Sequence, residues 1–222
     1  MKKSLLTLIG SAVLATSSFA SHAEVTANAA VSSNYFWRGV TQTDDGAAVS
    51  GGLDYANESG FYAGTWVSNV DFGDKTSYEM DFYAGFSGSA GDVGYDVGYI
   101  YYAYPDAEGS SDFGELYAEV SYNWLSAKAS FLSNAQSDAS SEEDMLYLEL
   151  NASFTILNDA ELGLHLGKSS GDTVLEWTGE DDSYMDYGVS VSKEGFTFGL
   201  VKTDLKADDD IKAYIAYGVD FS

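Results

Sequence analysis

The chain has 222 residues and a formal net charge of −25 at pH 7, from 35 acidic and 10 basic residues. This charge argues against nucleic acid as a partner, because binding to phosphates needs Lys and Arg. Cysteine is absent, which excludes disulfide bonds and thiolate chemistry. A single proline and 17 tyrosines suit long strands with aromatic girdles.

The first predicted element is a secretory signal peptide over residues 1–23. Lysines at positions 2 and 3 precede an apolar stretch over 5–15, and small residues stand at positions 21 and 23. Cleavage at this point makes Glu24 the mature N-terminus. The alternative is an N-terminal membrane anchor, but the apolar stretch is shorter than the ~20 residues that a helix needs to cross a bilayer.

Beyond the leader, apolar and polar residues alternate with the side-chain period of a β-strand. Segment 77–87 is the clearest case, with Tyr78, Met80 and Phe82 on one face and Glu79 and Asp81 on the other. We predict twelve strands, over residues 25–38, 47–56, 61–72, 77–87, 93–104, 114–124, 127–134, 145–156, 161–167, 184–192, 196–203 and 211–221.

Three predicted strands need comment. The first strand turns Tyr35 and Trp37 outward and Arg38 inward. Segment 127–134 is the weakest, so ten strands is the alternative count. Segment 61–72 is ambiguous, because a competing register turns Phe61, Ala63 and Val67 outward. The register that we favour for it turns outward Tyr62, Trp66, Val70 and Phe72.

The predicted connections mostly alternate between short and long. The short ones are 57–60, 88–92, 125–126, 157–160 and 193–195. The long ones are 39–46, 105–113, 135–144, 168–183 and 204–210, and the brief connection 73–76 breaks the scheme. Bacterial membrane barrels have short periplasmic turns and long extracellular loops.

The pattern therefore predicts an all-β fold, an antiparallel up-and-down transmembrane barrel forming one domain over 24–222. Its apolar outer surface lies in the bacterial outer membrane, and both termini are periplasmic. The alternative is a soluble β-sandwich. Such a fold would have to bury many more apolar side chains than the core between two facing sheets requires.

Charged side chains on the inward face are mostly acidic, and we predict that they line a pore. Arg38 and Lys212 fall near the outer ends of the first and last strands, opposite Glu79, Asp81 and Glu115, so a basic wall faces an acidic one. The alternative is an ion network that plugs the barrel. The pore-lining candidates are Arg38, Glu79, Asp81, Asp96, Glu115, Glu119, Glu149, Asp186 and Lys212.

The long loops are also acidic and form a rim that attracts cations. Asp181, Asp182 and the run 208–210 are candidates for divalent cations that bridge lipopolysaccharide, although they lack the ligand spacing of a calcium loop. A solvated loop surface is the alternative reading.

Chemistry-bearing motifs are scarce. His165 is the one histidine of the mature chain, and it lies at mid-strand facing the interior, where a hydrogen-bonded role is favoured over catalysis. Glu79 and Asp81 share a face, but alternation alone produces this spacing. We predict no enzymatic activity, no catalytic residue, no metal site and no cofactor.

Residues 34–42 read NYFWRGVTQ, and residues 60–72 read GFYAGTWVSNVDF. Together they resemble the TorF family of proteobacterial outer-membrane porins. The specific part of the resemblance covers about the first third of the chain. It implies an outer-membrane barrel with a channel role, and it supplies no substrate or functional residues.

These observations favour an outer-membrane channel for passive passage of small solutes or ions, with a preference for cations. The alternative is a plugged structural or adhesive barrel that acts through its acidic extracellular loops. The expected partners are outer-membrane lipid and lipopolysaccharide, and small solutes or cations. The sequence does not specify the solute, the gating or the oligomeric state.

Overall fold

The computed structural model describes residues 23–109, 111–135, 144–179 and 181–222. Residues 1–22 of the predicted leader lie outside the described residues. So do the acidic positions 138, 142, 143 and 180 of the long loops.

Long strands dominate the chain, and they begin and end close to the predicted positions. Two short strands of two residues each, β2 (Phe36–Trp37) and β3 (Val40–Thr41), form a hairpin that is separate from the long strands. A 3-10 turn (Leu157–Asp159) and one helix, α1 (Asp172–Thr178), lie in connections. The strands are β1 (Glu24–Ser32), β4 (Ala48–Ala56), β5 (Phe61–Asn69), β6 (Tyr78–Ala90), β7 (Val93–Ala103), β8 (Phe113–Tyr122), β9 (Leu125–Ala135), β10 (Leu146–Thr155), β11 (Glu161–Ser170), β12 (Ser183–Lys193), β13 (Phe196–Thr203) and β14 (Lys212–Phe221).

These long strands form one closed antiparallel barrel of twelve strands, which confirms the predicted fold. Each strand pairs with its neighbour in the chain, and β1 closes the ring by pairing with both β4 and β14. The weakly patterned segment forms the complete strand β9 between β8 and β10, so the fallback count of ten is wrong.

Alternation along each strand separates an apolar outer surface from a polar interior. On β8, Leu116 and Val120 are exposed, whereas Glu115 and Tyr117 are buried. On β10, Leu148 and Leu150 are exposed while Glu149 is buried between them. An apolar outer band around a polar lumen is the surface of a barrel that spans a membrane.

The register that we favoured for β5 is wrong. Phe61 and Val67 are 41% and 39% exposed and face outward. Tyr62 points inward, where its hydroxyl donates to Asp96, and Trp66 packs edge-on against Tyr35 at 5.3 Å. Both registers place aromatic side chains outward, so alternation alone could not distinguish them.

The ends of two predicted strands also differ. The first wall strand stops at Ser32, and Tyr35 and Trp37 lie inside the barrel rather than against lipid. β5 stops at Asn69, so Val70 is buried in the following connection. The connection between β5 and β6 therefore covers 70–77 and is nearly as long as the connection 104–112 between β7 and β8, so the predicted exception at 73–76 disappears.

The connections cluster by length at opposite ends of the barrel, and the first and last strands begin and end at the short-turn end. Between β12 and β13, Glu194 and Gly195 both have positive φ angles of 53° and 83°. Two such residues form the turn that matches the twist of paired strands. Among the described residues, α1 is too short and no other helix is long and apolar enough to cross a membrane.

The register predicts a depth-dependent cost for arginine on β10. Leu150→Arg, in the middle of the outer band, should destabilise the bilayer-folded barrel by about 2–4 kcal/mol, because the guanidinium must enter hydrocarbon. Ile156→Arg, also exposed but one residue past β10 at the short-turn end, should cost at most about 1 kcal/mol. Denaturant titration in lipid bilayers measures both, and equal costs would contradict the assigned lipid face.

Candidate functional site

The connection between β1 and β4 folds into the barrel interior instead of standing above it. Phe36 pairs with Thr41, and Trp37 pairs with Val40, so β2 and β3 form a hairpin with Arg38 and Gly39 at its tip. Both tip residues have positive φ angles, 49° and 82°. This is again the two-residue turn that suits antiparallel strands.

The hairpin tip is pressed against the wall at β12 and β13. A Cβ atom on Gly39 would lie 2.7 Å from the Asp186 Cβ and 2.8 Å from the Thr203 Cγ2, so only glycine fits there. The Tyr184 hydroxyl donates a hydrogen bond to the Arg38 carbonyl oxygen at 3.1 Å. The hairpin therefore crosses the lumen near the long-loop end.

Arg38 forms a buried ion pair with Glu115 on β8. Its Nη2 lies 2.6 Å and 2.7 Å from the two carboxylate oxygens. The guanidinium stands between the rings of Trp37 and Tyr147, 4.2 Å and 4.3 Å from their centroids. Arg38 is 4% exposed and Glu115 is 1% exposed, so water screens the pair weakly.

This pair overturns the predicted arrangement of a basic wall facing an acidic one. Arg38 leaves its own wall and contacts Glu115 directly. Lys212 lies at the rim and pairs with Asp45 at 3.2 Å and Asp208 at 2.9 Å. The two basic residues are thus neutralised separately by acidic partners.

Tyrosine hydroxyls satisfy several of the inward carboxylates. Tyr35 and Tyr104 donate to the two oxygens of Glu79 at 2.7 Å and 2.6 Å. Tyr62 donates to Asp96 at 2.6 Å, and Tyr83 donates to Asp54. Because the tyrosine hydroxyls are uncharged donors, they hold the carboxylates in place without neutralising their negative charge.

Asp81 differs from its neighbours because its Oδ1 atom is buried and has no hydrogen-bond partner among the described residues. It lies on β6, one pleat along from Glu79, opposite Trp66 on β5 and Tyr102 on β7. A buried carboxylate oxygen that lacks a hydrogen bond favours a proton or a cation beside it.

A second network surrounds His165 on β11. Its Nε2 lies 2.7 Å from Asp186 Oδ1, and its Nδ1 lies 2.6 Å from Asn151 Oδ1. The Tyr147 hydroxyl contacts both His165 and Asp186. Both ring nitrogens are therefore engaged, which fits the predicted hydrogen-bonded role.

The Asp186 side of this network borders a small cavity beside the hairpin tip. The second carboxylate oxygen of Asp186, Oδ2, is buried and has no partner among the described residues. The cavity is lined by Phe36, Arg38, Gly39, Tyr147, His165, Asp186, Tyr187, Gly188 and Val201.

Lys128 on β9 is the third inward basic residue. Its ammonium lies 3.7 Å from Glu149 and 4.7 Å from the centroid of the Tyr117 ring. Glu119, which is half-buried, stands opposite Lys128 in the β8–β9 ladder. One lysine thus lies between two acidic residues on neighbouring strands.

An apolar cluster covers the hairpin from the long-loop end. Val174 of α1 is fully buried against Met145, Tyr184 and Leu205. Trp37 and Val40 of the hairpin pack against this cluster, as do Phe113 and Leu132. The sequence did not predict α1, so the apolar cluster that covers the hairpin is seen only in the structure.

Beyond the wall, two long loops are joined by polar contacts. The backbone N–H and hydroxyl of Ser77 donate to Asp106, and these bonds lower the pKa of the Asp106 carboxyl. Lys75 pairs with Glu108 at the exposed surface. Across the described ranges, no group of three or more His, Asp or Glu side chains is placed to hold a metal ion.

Sequence reasoning placed all nine candidates on the inward face, and the structure brings them into separate pairs and networks rather than one site. The sequence did not predict the hairpin, or the tyrosines whose hydroxyls donate to the carboxylates. The signal for the hairpin was present, since Arg38-Gly39 stands between alternating residues as a two-residue turn does. The same alternation also fitted a continuous strand.

Solved porin structures have a similar fold. A KdgM porin structure aligns with a TM-score of 0.55 and 12% identity, covering 89% of this chain and 98% of that chain. A NanC porin structure aligns with a TM-score of 0.55 and 10% identity, covering 90% and 100%. At such identities the similarity establishes the shared fold alone.

A further KdgM porin structure, a complex with disordered oligogalacturonate, aligns with a TM-score of 0.53 and 10% identity, covering 89% of this chain and 98% of that chain. None of the curated protein sequences matches this chain. The family model named Gcw_chp, a bacterial protein family of unknown function, matches residues 16–221, and the chain belongs to this family.

Proposed function

We propose that this protein is an outer-membrane channel through which small solutes or ions pass passively, with a preference for cations. The observation that carries the proposal is the closed barrel with a carboxylate-rich interior. The porin fold of its structural neighbours supports it, and so does the resemblance of residues 34–42 and 60–72 to the TorF family.

Cation preference follows from the balance of charge inside the barrel. Arg38 neutralises Glu115, and Lys128 lies beside Glu149. The carboxylates held by tyrosines, together with Asp81, have no such basic partner among the described residues. Their uncompensated charge attracts cations and repels anions along the lumen.

The same balance argues against an anionic sugar as the solute. Oligogalacturonate, which is present in one of the KdgM porin structures, carries carboxylates. A lumen with excess negative charge repels such a chain. We therefore propose cations, or small uncharged solutes, for this protein.

A second candidate is a plugged barrel that acts through its acidic loops. The hairpin across the lumen and the apolar cluster above it favour this reading. The two candidates differ in one measurable property, because a plugged barrel carries no current in a planar bilayer.

The remaining assignments complete the proposal. Residues 1–23 are a cleaved leader, 24–222 are one barrel domain, and the short-turn end with both termini faces the periplasm. We assign the lumen no catalytic step and no cofactor.

Selectivity should depend on Asp81. Asp81→Asn removes an unpaired lumenal charge without changing side-chain size, and it should lower the cation-to-anion permeability ratio roughly fivefold, as expected for about 1 kcal/mol. Reversal potentials across a salt gradient measure the ratio. The difference should shrink at high salt, because the Debye length falls from ~10 Å at 0.1 M to ~3 Å at 1 M.

Asp44→Asn is the matched control. Asp44 is exposed in the loop that contains the hairpin, and its positive φ angle is one that asparagine tolerates. This variant should change the permeability ratio much less. A wild-type pore that prefers anions, or equal effects of the two variants, would refute the role of Asp81.

The Arg38–Glu115 pair should control how far the lumen opens. Glu115→Gln leaves the buried guanidinium without its counter-charge, which costs about 3–5 kcal/mol in comparable pairs. The hairpin should then leave the lumen more often, and single-channel recordings should show a larger or more frequent open state.

Glu108→Gln makes the same chemical change in the exposed Lys75–Glu108 pair. Exposed pairs contribute about 0–1 kcal/mol, so this variant should conduct like the wild type. If neither wild type nor Glu115→Gln conducts, the plugged barrel is the correct reading.

A further inference from the structure

Most basic residues of the described chain already have an acidic partner. In the lumen and at its rim, Arg38, Lys128 and Lys212 pair with carboxylates. In the loops, Lys75 pairs with Glu108 and Lys206 with Asp181. Lysines on the outer surface of the wall are the exception.

Lys168 and Lys202 stand on this outer surface, on either side of β12. Lys168 continues the outward row of Leu164 and Leu166 on β11 and is exposed. Lys202 continues the outward row of Phe198 and Leu200 on β13. Each lies within three residues of the long-loop end of its strand.

The strand register sets the distance between the two lysines. Lys168 pairs with Met185 on β12, and Lys202 pairs with Tyr187, two residues further along the same strand. Two strand spacings and a two-residue offset put the Cα atoms about 12 Å apart. Two flexible lysines at this separation can reach adjacent anionic groups of one molecule.

Neither lysine has a carboxylate partner within the described ranges. Lys202 donates to the backbone carbonyl oxygen of Asp209, and Lys168 has no hydrogen bond or ion pair there. The carboxylate of Asp204, which follows β13, is held by the backbone N–H of Met185 at 2.7 Å. Two uncompensated cations stand out on a chain with a net charge of −25.

The depth of the lysines identifies what they meet. On the outer surface, exposed Leu148 stands beside Lys168 in the β10–β11 ladder, and exposed Tyr187 stands beside Lys202 in the β12–β13 ladder. Exposed Leu166 lies one pleat from Lys168 toward the middle of the wall. Long basic side chains at the edge of an apolar band extend toward lipid head groups. Tyrosine at the same level is typical of the interfacial girdle.

We propose that Lys168 and Lys202 bind the phosphates of an anionic lipid head group in the leaflet at the long-loop end. The proposal rests on the barrel spanning the outer membrane, as proposed above. Free phosphate is disfavoured, because the acidic loops repel a mobile anion, whereas acyl chains on the apolar band hold a lipid phosphate beside the lysines.

Native mass spectrometry of the detergent-refolded barrel with diphosphorylated lipid A tests this proposal. The K168Q/K202Q variant should bind lipid A about twenty-five-fold more weakly than wild type, at about fivefold for each lysine near a charged head group. K168R/K202R should retain binding. Heat-modifiable migration on a gel checks that each variant is folded.

K193Q is the matched control, because Lys193 is exposed on the same outward face of β12 but at the short-turn end. It should bind lipid A like wild type, and dephosphorylated lipid A should bind weakly to every variant. Equal loss in K193Q and K168Q/K202Q would overturn the proposal. Displacement of lipid A by inorganic phosphate would assign the site to a free anion instead.

Conductance of the same preparations separates this proposal from the proposed channel. In bilayers without lipid A, K168Q/K202Q should conduct like wild type, because both lysines lie outside the lumen. A barrel that binds lipid A through these lysines but carries no current would refute the channel and keep the lipid site.

Discussion

The pairing of β1 with β14 is the contact on which the rest of the structure depends. In hydrocarbon, a backbone N–H or C=O without a partner costs several kcal/mol, so a sheet must close on itself. Once closed, the period of two assigns every side chain either to lipid or to the lumen. The apolar outer band and the polar interior are two consequences of that one closure.

A closed barrel of twelve strands leaves an interior that must then be filled or hydrated, and here polar side chains fill much of the long-loop half. Buried carboxylates are costly without hydrogen-bond donors. Tyr35, Tyr62 and Tyr104 supply hydroxyls to them, and Arg38 supplies a guanidinium held between two aromatic rings. The many tyrosines therefore serve the lumen as well as the membrane interface.

The sequence predicted the wall well and the lumen poorly, and the reason is physical. Strand faces follow from local alternation, which a single segment carries, and β6 and β8 show it clearly. The β2–β3 hairpin alternates in the same way, so alternation alone does not distinguish it from the end of β1, and Arg38-Gly39 is its one local signal. What places it inside is long-range, namely the fit of Gly39 against Asp186 and Thr203 and the reach of Arg38 to Glu115.

Acidic and basic side chains of this protein lie mostly on different surfaces, and this separation links the proposed channel to the proposed lipid site. Acidic side chains dominate the lumen, whereas Lys168 and Lys202 lie on the lipid-facing wall with no carboxylate partner in the described chain. Arg38 crosses from one wall to the other and makes the hairpin depend on Glu115. Any movement of the hairpin that separates this pair also uncovers a carboxylate in the lumen. In the channel that we propose, opening the lumen therefore increases the negative charge that a passing solute meets, so the width of the proposed pore and its proposed preference for cations are coupled through a single ion pair.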